Sequence, residues 1–139
     1  MVTTWDWWVH EDNVMNANHT YKHWSKKSEK VEVLKQLGRA KHRQLGKHRR
    51  VRLDVLVSYP RRIPRDVNNL QPTLKHYIDG LVDIPPHNKK GMKKQPARGI
   101  LTDDSDAFVE GPFMRRDPDL QPSGRPGWYR FRITMTDLD

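Results

Sequence analysis

Toward the C-terminal end, Tyr129, Phe131, Ile133 and Met135 alternate without a break with Arg130, Arg132, Thr134 and Thr136. A period of two sends the two sets to opposite sides of a pleated strand, so one side lines a core and the other meets a polar layer. Val51, Leu53, Val55 and Val57 repeat the pattern between Arg52, Asp54 and Leu56, and Pro60 ends it. A sheet built from such strands has one apolar face to cover, and helices are the natural cover.

Two stretches have the spacing for that. From about Ser25 to Leu45, Val31, Leu34, Leu37 and Ala40 recur at helical intervals among lysines and arginines, with a mild interruption at Gly38. Further on, Pro72 suits the first turn of a helix, where its missing N–H has no partner to lose. Leu74, Tyr77, Ile78 and Leu81 then form the buried stripe, with Lys75 and Asp79 one turn apart away from its centre. Trp5 to Val9 suits a short strand, and Glu11 to Thr20 is polar and Asn-rich, as loops are. The expected order is strand, helix, strand, helix, acidic turn, strand. A chain of 139 residues holds one core, so a single compact α+β domain over 1–139 is expected, a small sheet with helices packed against it. Two segments rich in Pro, Gly and basic residues, near 84–99 and 111–127, are expected to be flexible basic loops.

Lys and Arg number 26 against 17 Asp and Glu, a formal charge of +9, and such a surface attracts polyanions. Nucleic acid leads the candidate partners, and RNA and DNA binders share this balance. The absence of cysteine excludes disulfides and thiolate chemistry. No apolar run approaches membrane-spanning length, so a soluble, unexported, cytoplasmic protein is expected, with no membrane partner.

Against this basic background, Asp66 and the cluster Asp103, Asp104 and Asp106 stand out, because carboxylates repel phosphates unless a cation intervenes. A hard divalent ion such as Mg²⁺, held by oxygen ligands, would polarise a phosphodiester and acidify an attacking water. The competing reading is that Asp66 caps the following turn and that Asp103 to Asp106 solvate a loop. Lys75 is either a point charge for the transition state or a solvated helix-face lysine. His19 and His23 lie four apart without the Glu of a zinc HExxH motif, and they are taken as surface residues. The tryptophans are placed in the core or a dimer interface ahead of stacking on unpaired bases.

Three segments occur in order: Arg61-Arg62-Ile63-Pro64-Arg65-Asp66-Val67-Asn68-Asn69-Leu70, Lys75-His76-Tyr77-Ile78-Asp79-Gly80-Leu81, and Leu101-Thr102-Asp103-Asp104. Together they resemble the RusA family of Holliday junction resolvases. That family has a basic run into Asp-x-Asp-Asn-Leu, a helix with a Lys that ends Asp-x-Leu, and a Leu-x-Asp-Asp turn. The loop Asn16-Ala17-Asn18-His19-Thr20-Tyr21-Lys22-His23 also fits the family pattern. The resemblance implies that Asp66 and Asp104, with Asp103 beside it, are metal ligands and that Lys75 joins Asp66 and Asp104 as a catalytic residue. It also implies Mg²⁺ or Mn²⁺ as cofactor, a homodimer, and paired nicking of branched, four-way DNA in recombination and repair, often phage-encoded. Asn68 stands where the family has its second Asp. The lysine is displaced too: matching through Asn69-Leu70 selects Pro72, and matching back from Asp79-Gly80-Leu81 selects Lys75. The residues expected to contact DNA are Lys22, Lys26, Lys27, Arg61, Arg62, Arg65 and Asn69, followed by Lys89, Lys90, Lys93 and Lys94. A junction-binding relative without cleavage and a non-enzymatic RNA-binding protein are the alternatives.

Overall fold

The computed structural model describes residues 1–18, 24–41, 44–62, 66–83, 99–101 and 107–138. Strands β1 (Val2–His10), β2 (Val51–Ser58), β3 (Val109–Arg116) and β4 (Trp128–Asp137) form one mixed sheet in the order β1-β4-β2-β3. Both strand pairs that involve β4 are antiparallel, and β2 pairs with β3 in parallel. A parallel neighbour requires a crossover connection. Helix α2 (Gln71–Val82) lies between those two strands in the chain, and helix α1 (Trp24–Arg39) lies between β1 and β2. The domain is therefore α+β, as the periodicities require.

The alternation of β2 and β4 is realised residue by residue. Val51, Leu53, Val55, Val57, Phe131, Ile133 and Met135 are buried, together with Trp5, Trp7 and Val9 of β1. Against them stand Leu74, Tyr77, Ile78 and Leu81 of α2, all buried, with Leu34 of α1. Trp7 is held between two rings, stacked on Tyr77 at 3.8 Å and on Phe131 at 4.4 Å, and Trp5 Nε1 donates to the Tyr77 hydroxyl at 2.8 Å. Burial pushes the Tyr77 phenol well above its ordinary pKa, so that oxygen stays protonated and still accepts the indole N–H.

The two helices cross at Gly38 and Gly80, where a Cβ on either would strike the partner's backbone. Glycine here permits close approach of backbones, and the Gly38 taken as a mild interruption is in fact buried packing. α1 ends at Arg39, earlier than the expected Leu45, and Arg39 Nε donates to Asp83 at 3.0 Å, joining the ends of the two helices. Asp83 itself takes the left-handed conformation, φ 49°, that stops α2.

Two further expectations are corrected. The strand at the start is longer than Trp5 to Val9, because β4 offers a partner for every residue from Val2 to His10. Residues 111–116, expected in a loop, belong to β3. Gly111 and Pro112 break any alternation there, and the pairing steps from Arg52–Glu110 to Asp54–Phe113, a bulge that leaves one extra residue on β3. Only 117–127 of that segment is turn. The first expected basic loop lies outside the described residues apart from Gly99, whose N–H donates to Val82 O at 2.9 Å.

Candidate functional site

Asp66 stands at the head of a single 3-10 turn, Val67–Leu70, that runs directly into α2. Its Oδ1 accepts the Asn68 N–H at 2.9 Å, satisfying a donor that the turn leaves open. Leu70 is buried and anchors the turn, while Asp66 and Asn68 are exposed. The Asn-rich loop is stitched to the same place. Met15 and the Thr73 hydroxyl exchange hydrogen bonds of 2.8 Å in both directions, and the Ala17 N–H donates to Asn69 O at 2.8 Å.

Beside this junction is a crevice of about 480 Å³, walled by Gln71, Pro72, Lys75 and Ile78 of α2, by Val109, Gly111 and Pro112 of β3, and by Ala17. Pro72 and Lys75 both line it, so the two ways of aligning the displaced lysine lead to one cavity. The side chain of Lys75 is 63 % exposed, and its Nζ lies 3.6 Å from Asp79 Oδ2, an exposed pair of small energetic worth. His76 Nδ1 stands at 3.6 Å from the same oxygen.

Asp103, Asp104 and Asp106 lie outside the described residues. Their flanks do not: Leu101 is buried and bridged to His48, and Val51 N–H donates to Phe108 O at 2.9 Å. In the chain the acidic segment thus stands between the buried Leu101 and Val109, which lines the crevice. Among the described residues no group of three or more His, Asp or Glu is arranged to hold a metal ion.

Lys26 and Lys27 are exposed at the start of α1, and Arg62 is exposed as expected. Arg61 is not a free phosphate ligand at rest, because its guanidinium meets Glu11 at 2.8 Å. Asn69 is half-buried and its backbone is used on both sides, accepting from Ala17 and donating to Asp66 O. Lys22, Arg65, Lys89, Lys90, Lys93, Lys94, His19 and His23 lie outside the described residues.

No protein-family model matches the chain, and no curated protein matches it either. No helix of the described residues is long and apolar enough to cross a membrane.

Two features have no local signal in the sequence. His48 Nδ1 lies 2.6 Å from Asp137 Oδ1, with the ring almost buried, while the His48 N–H donates to Ile100 O at 2.7 Å. This pair, 89 residues apart, pins the base from which the acidic segment departs. The second is the sheet face turned away from α2. There, beside the local Arg52–Asp54 pair that the alternation of β2 already puts on one side, Arg132 forms two hydrogen bonds to the distant Asp6, at 2.7 and 3.1 Å, and Arg130 meets the buried Asp117. The hydrogen bond from Arg132 holds the Asp6 carboxyl below its ordinary pKa, outweighing the desolvation that opposes it.

Proposed function

We propose that this chain is a metal-dependent, structure-selective endodeoxyribonuclease that resolves four-way DNA junctions by paired nicking as a homodimer, after the manner of the RusA family. The observation that carries this reading is the meeting of two chain segments at one crevice. Asp66 leads into the α2 turn that lines it with Gln71, Pro72 and Lys75, and the acidic run ending at Asp106 leads into Val109 on the facing wall.

The donor set suits a hard cation. Asp66 spends one carboxylate oxygen on its cap, and the other has no partner among the described residues. Asp103 and Asp104 are the natural further ligands. A bound Mg²⁺ or Mn²⁺ would supply Lewis acidity toward the phosphate and an acidified water. Lys75, in the crevice wall and largely exposed, would set its charge against the oxygens of the phosphate under attack. Lys26, Lys27, Arg62 and their neighbours would hold the DNA by its phosphates without reading its sequence. Two copies would present two equivalent sites to a two-fold substrate.

The experiment is a labelled four-way junction beside a matched linear duplex, each with Mg²⁺, with Mn²⁺ and with EDTA. Paired, metal-dependent nicks in the junction alone support the reading. Asp66→Asn and Asp104→Asn are then expected to abolish cutting while preserving or tightening binding, because they remove charges that repel phosphate. A second reading, junction binding without cleavage, is favoured by Asn68, which is exposed beside Asp66 and adds no negative charge. Binding in both metals with no nick would decide for it, and no structure-selective binding would sink both readings.

A further inference from the structure

On the sheet face away from α2, Trp8 of β1 lies opposite Arg130 of β4, which makes Trp8 and Trp128 diagonal neighbours on one side. Both indoles are half-buried. The guanidinium of Arg125 sits over them together, 4.0 Å from the ring centre of Trp128 and 5.4 Å from that of Trp8, and His10 meets Trp128 edge-on at 5.3 Å.

The backbone that carries Arg125 and Trp128 is held in place by a buried hydroxyl. The buried Ser123 hydroxyl donates toward the carbonyls of both Trp128, at 2.8 Å, and Arg125, at 3.2 Å, and accepts the Arg125 N–H at 3.2 Å. Gly127 takes φ +81° to bring the turn down, and its carbonyl accepts the Glu11 N–H at 2.9 Å. Glu11 in turn binds Arg61, the first residue of the basic run that leads to Asp66. One hydrogen bond and one ion pair thereby link the turn that carries Arg125 and Trp128, through Glu11, to Arg61.

We propose that Trp8, Trp128 and Arg125 form a binding site for unpaired nucleotides, the bases stacking on the indole faces and Arg125 meeting the adjoining phosphate. An exposed guanidinium lying over two half-buried indoles can swing to a phosphate and leave a ring face to a base, and every base offers a face to stack, so the site is tolerant of sequence. Arg125 argues against a cationic ligand, which the same aromatics would otherwise attract. The formal charge of +9 favours a polyanion. The proposal rests on the nucleic-acid reading given above and adds a second contact, on the opposite face of the sheet from the crevice, for a strand left single at a branch point.

The test uses the full chain in EDTA, so that it is independent of cutting. A labelled oligothymidylate and a duplex of equal length are titrated by anisotropy, with tryptophan emission followed in parallel. The single strand is expected to quench emission. Trp8→Ala and Trp128→Ala are each expected to weaken its binding about tenfold or more, the scale of one lost stack, with duplex affinity changed less than twofold. Trp8→Phe and Trp128→Phe keep a ring and are expected to retain most of the affinity, which separates stacking from damage to the fold. Equal losses on both DNAs, or no loss on the single strand, would overturn the proposal. Failure of the junction-nicking assay with these results intact would remove the nuclease reading and leave this site standing.

Discussion

Gly80→Ala would ordinarily strengthen a helix by about 1 kcal/mol, since alanine gives up less backbone freedom than glycine. Here the sign should reverse. A Cβ at Gly80 would lie 2.2 Å from the Lys35 carbonyl oxygen, where ordinary contact begins at 3.4 Å. The obstacle is backbone, so no side chain can swing aside, and α1 must retreat by about 1.2 Å along the whole crossing. That movement loosens Leu34 and Leu37 against α2, and forced overpacking of this kind costs about 1–3 kcal/mol. Against the propensity gain, a net loss near 1 kcal/mol is expected, a fall in Tm of about 4 °C for a domain of this length. Thermal and urea unfolding followed by far-UV circular dichroism would measure it. Gly46→Ala is the control, because a Cβ there meets nothing within 4 Å, and a change within about 0.5 kcal/mol is expected. The double variant Gly38→Ala, Gly80→Ala should lose clearly less than the sum of the two, since one retreat relieves both contacts. A Gly80→Ala protein with an unchanged or higher Tm would refute backbone contact between the helices, and with it the placement of α2 that sets Lys75 in the crevice wall.

Other outcomes follow from the same geometry. Asp6 titrates below its ordinary 3.8 in the folded protein, so its pair with Arg132 contributes stability that is present above that value and lost as pH falls below it. Asp6→Asn should therefore flatten the acid limb of a stability-against-pH curve, and an unchanged limb would discount the pair. Tyr77 is shifted upward by burial, so folding stability should decline as pH rises past about 10, where the unfolded tyrosine ionises first, and Tyr77→Phe should blunt that decline. Trp7→Ala removes the middle ring of the Tyr77–Trp7–Phe131 stack and should cost about 4 kcal/mol in chemical denaturation. A loss under about 1 kcal/mol would mean the stack is not a core element. If Lys26 and Lys27 touch phosphate, replacing both with alanine should reduce the slope of log K against log salt on duplex DNA by about 1.8. An unchanged slope would remove α1 from the DNA path.

Periodicity alone was enough to define β2, β4, α1 and α2 and to name the buried residues of β2, β4 and α2, because those segments carry strong amphipathic patterns. Of the four residues named in the more basic α1 only Leu34 is buried, Val31 and Leu37 being half-buried and Ala40 exposed past the helix end. The pairing of Lys75 with Asp79 and the capping by Asp66 were legible for the same reason, both being contacts within one or two turns. The crevice was not, since its walls come from α2, from β3 and from the Asn-rich loop, and only the parallel pairing of β2 with β3 sets them facing one another. β3 itself shows no alternation around Gly111 and Pro112 and exists as a strand because β2 presents an edge for it to pair with. His48 with Asp137, Arg125 over Trp8 and Trp128, and the Gly38–Gly80 crossing likewise depend on where the sheet order β1-β4-β2-β3 carries residues far apart in the chain. Local pattern decides what a segment becomes, whereas the free energy that places segments side by side belongs to the packed core as a whole.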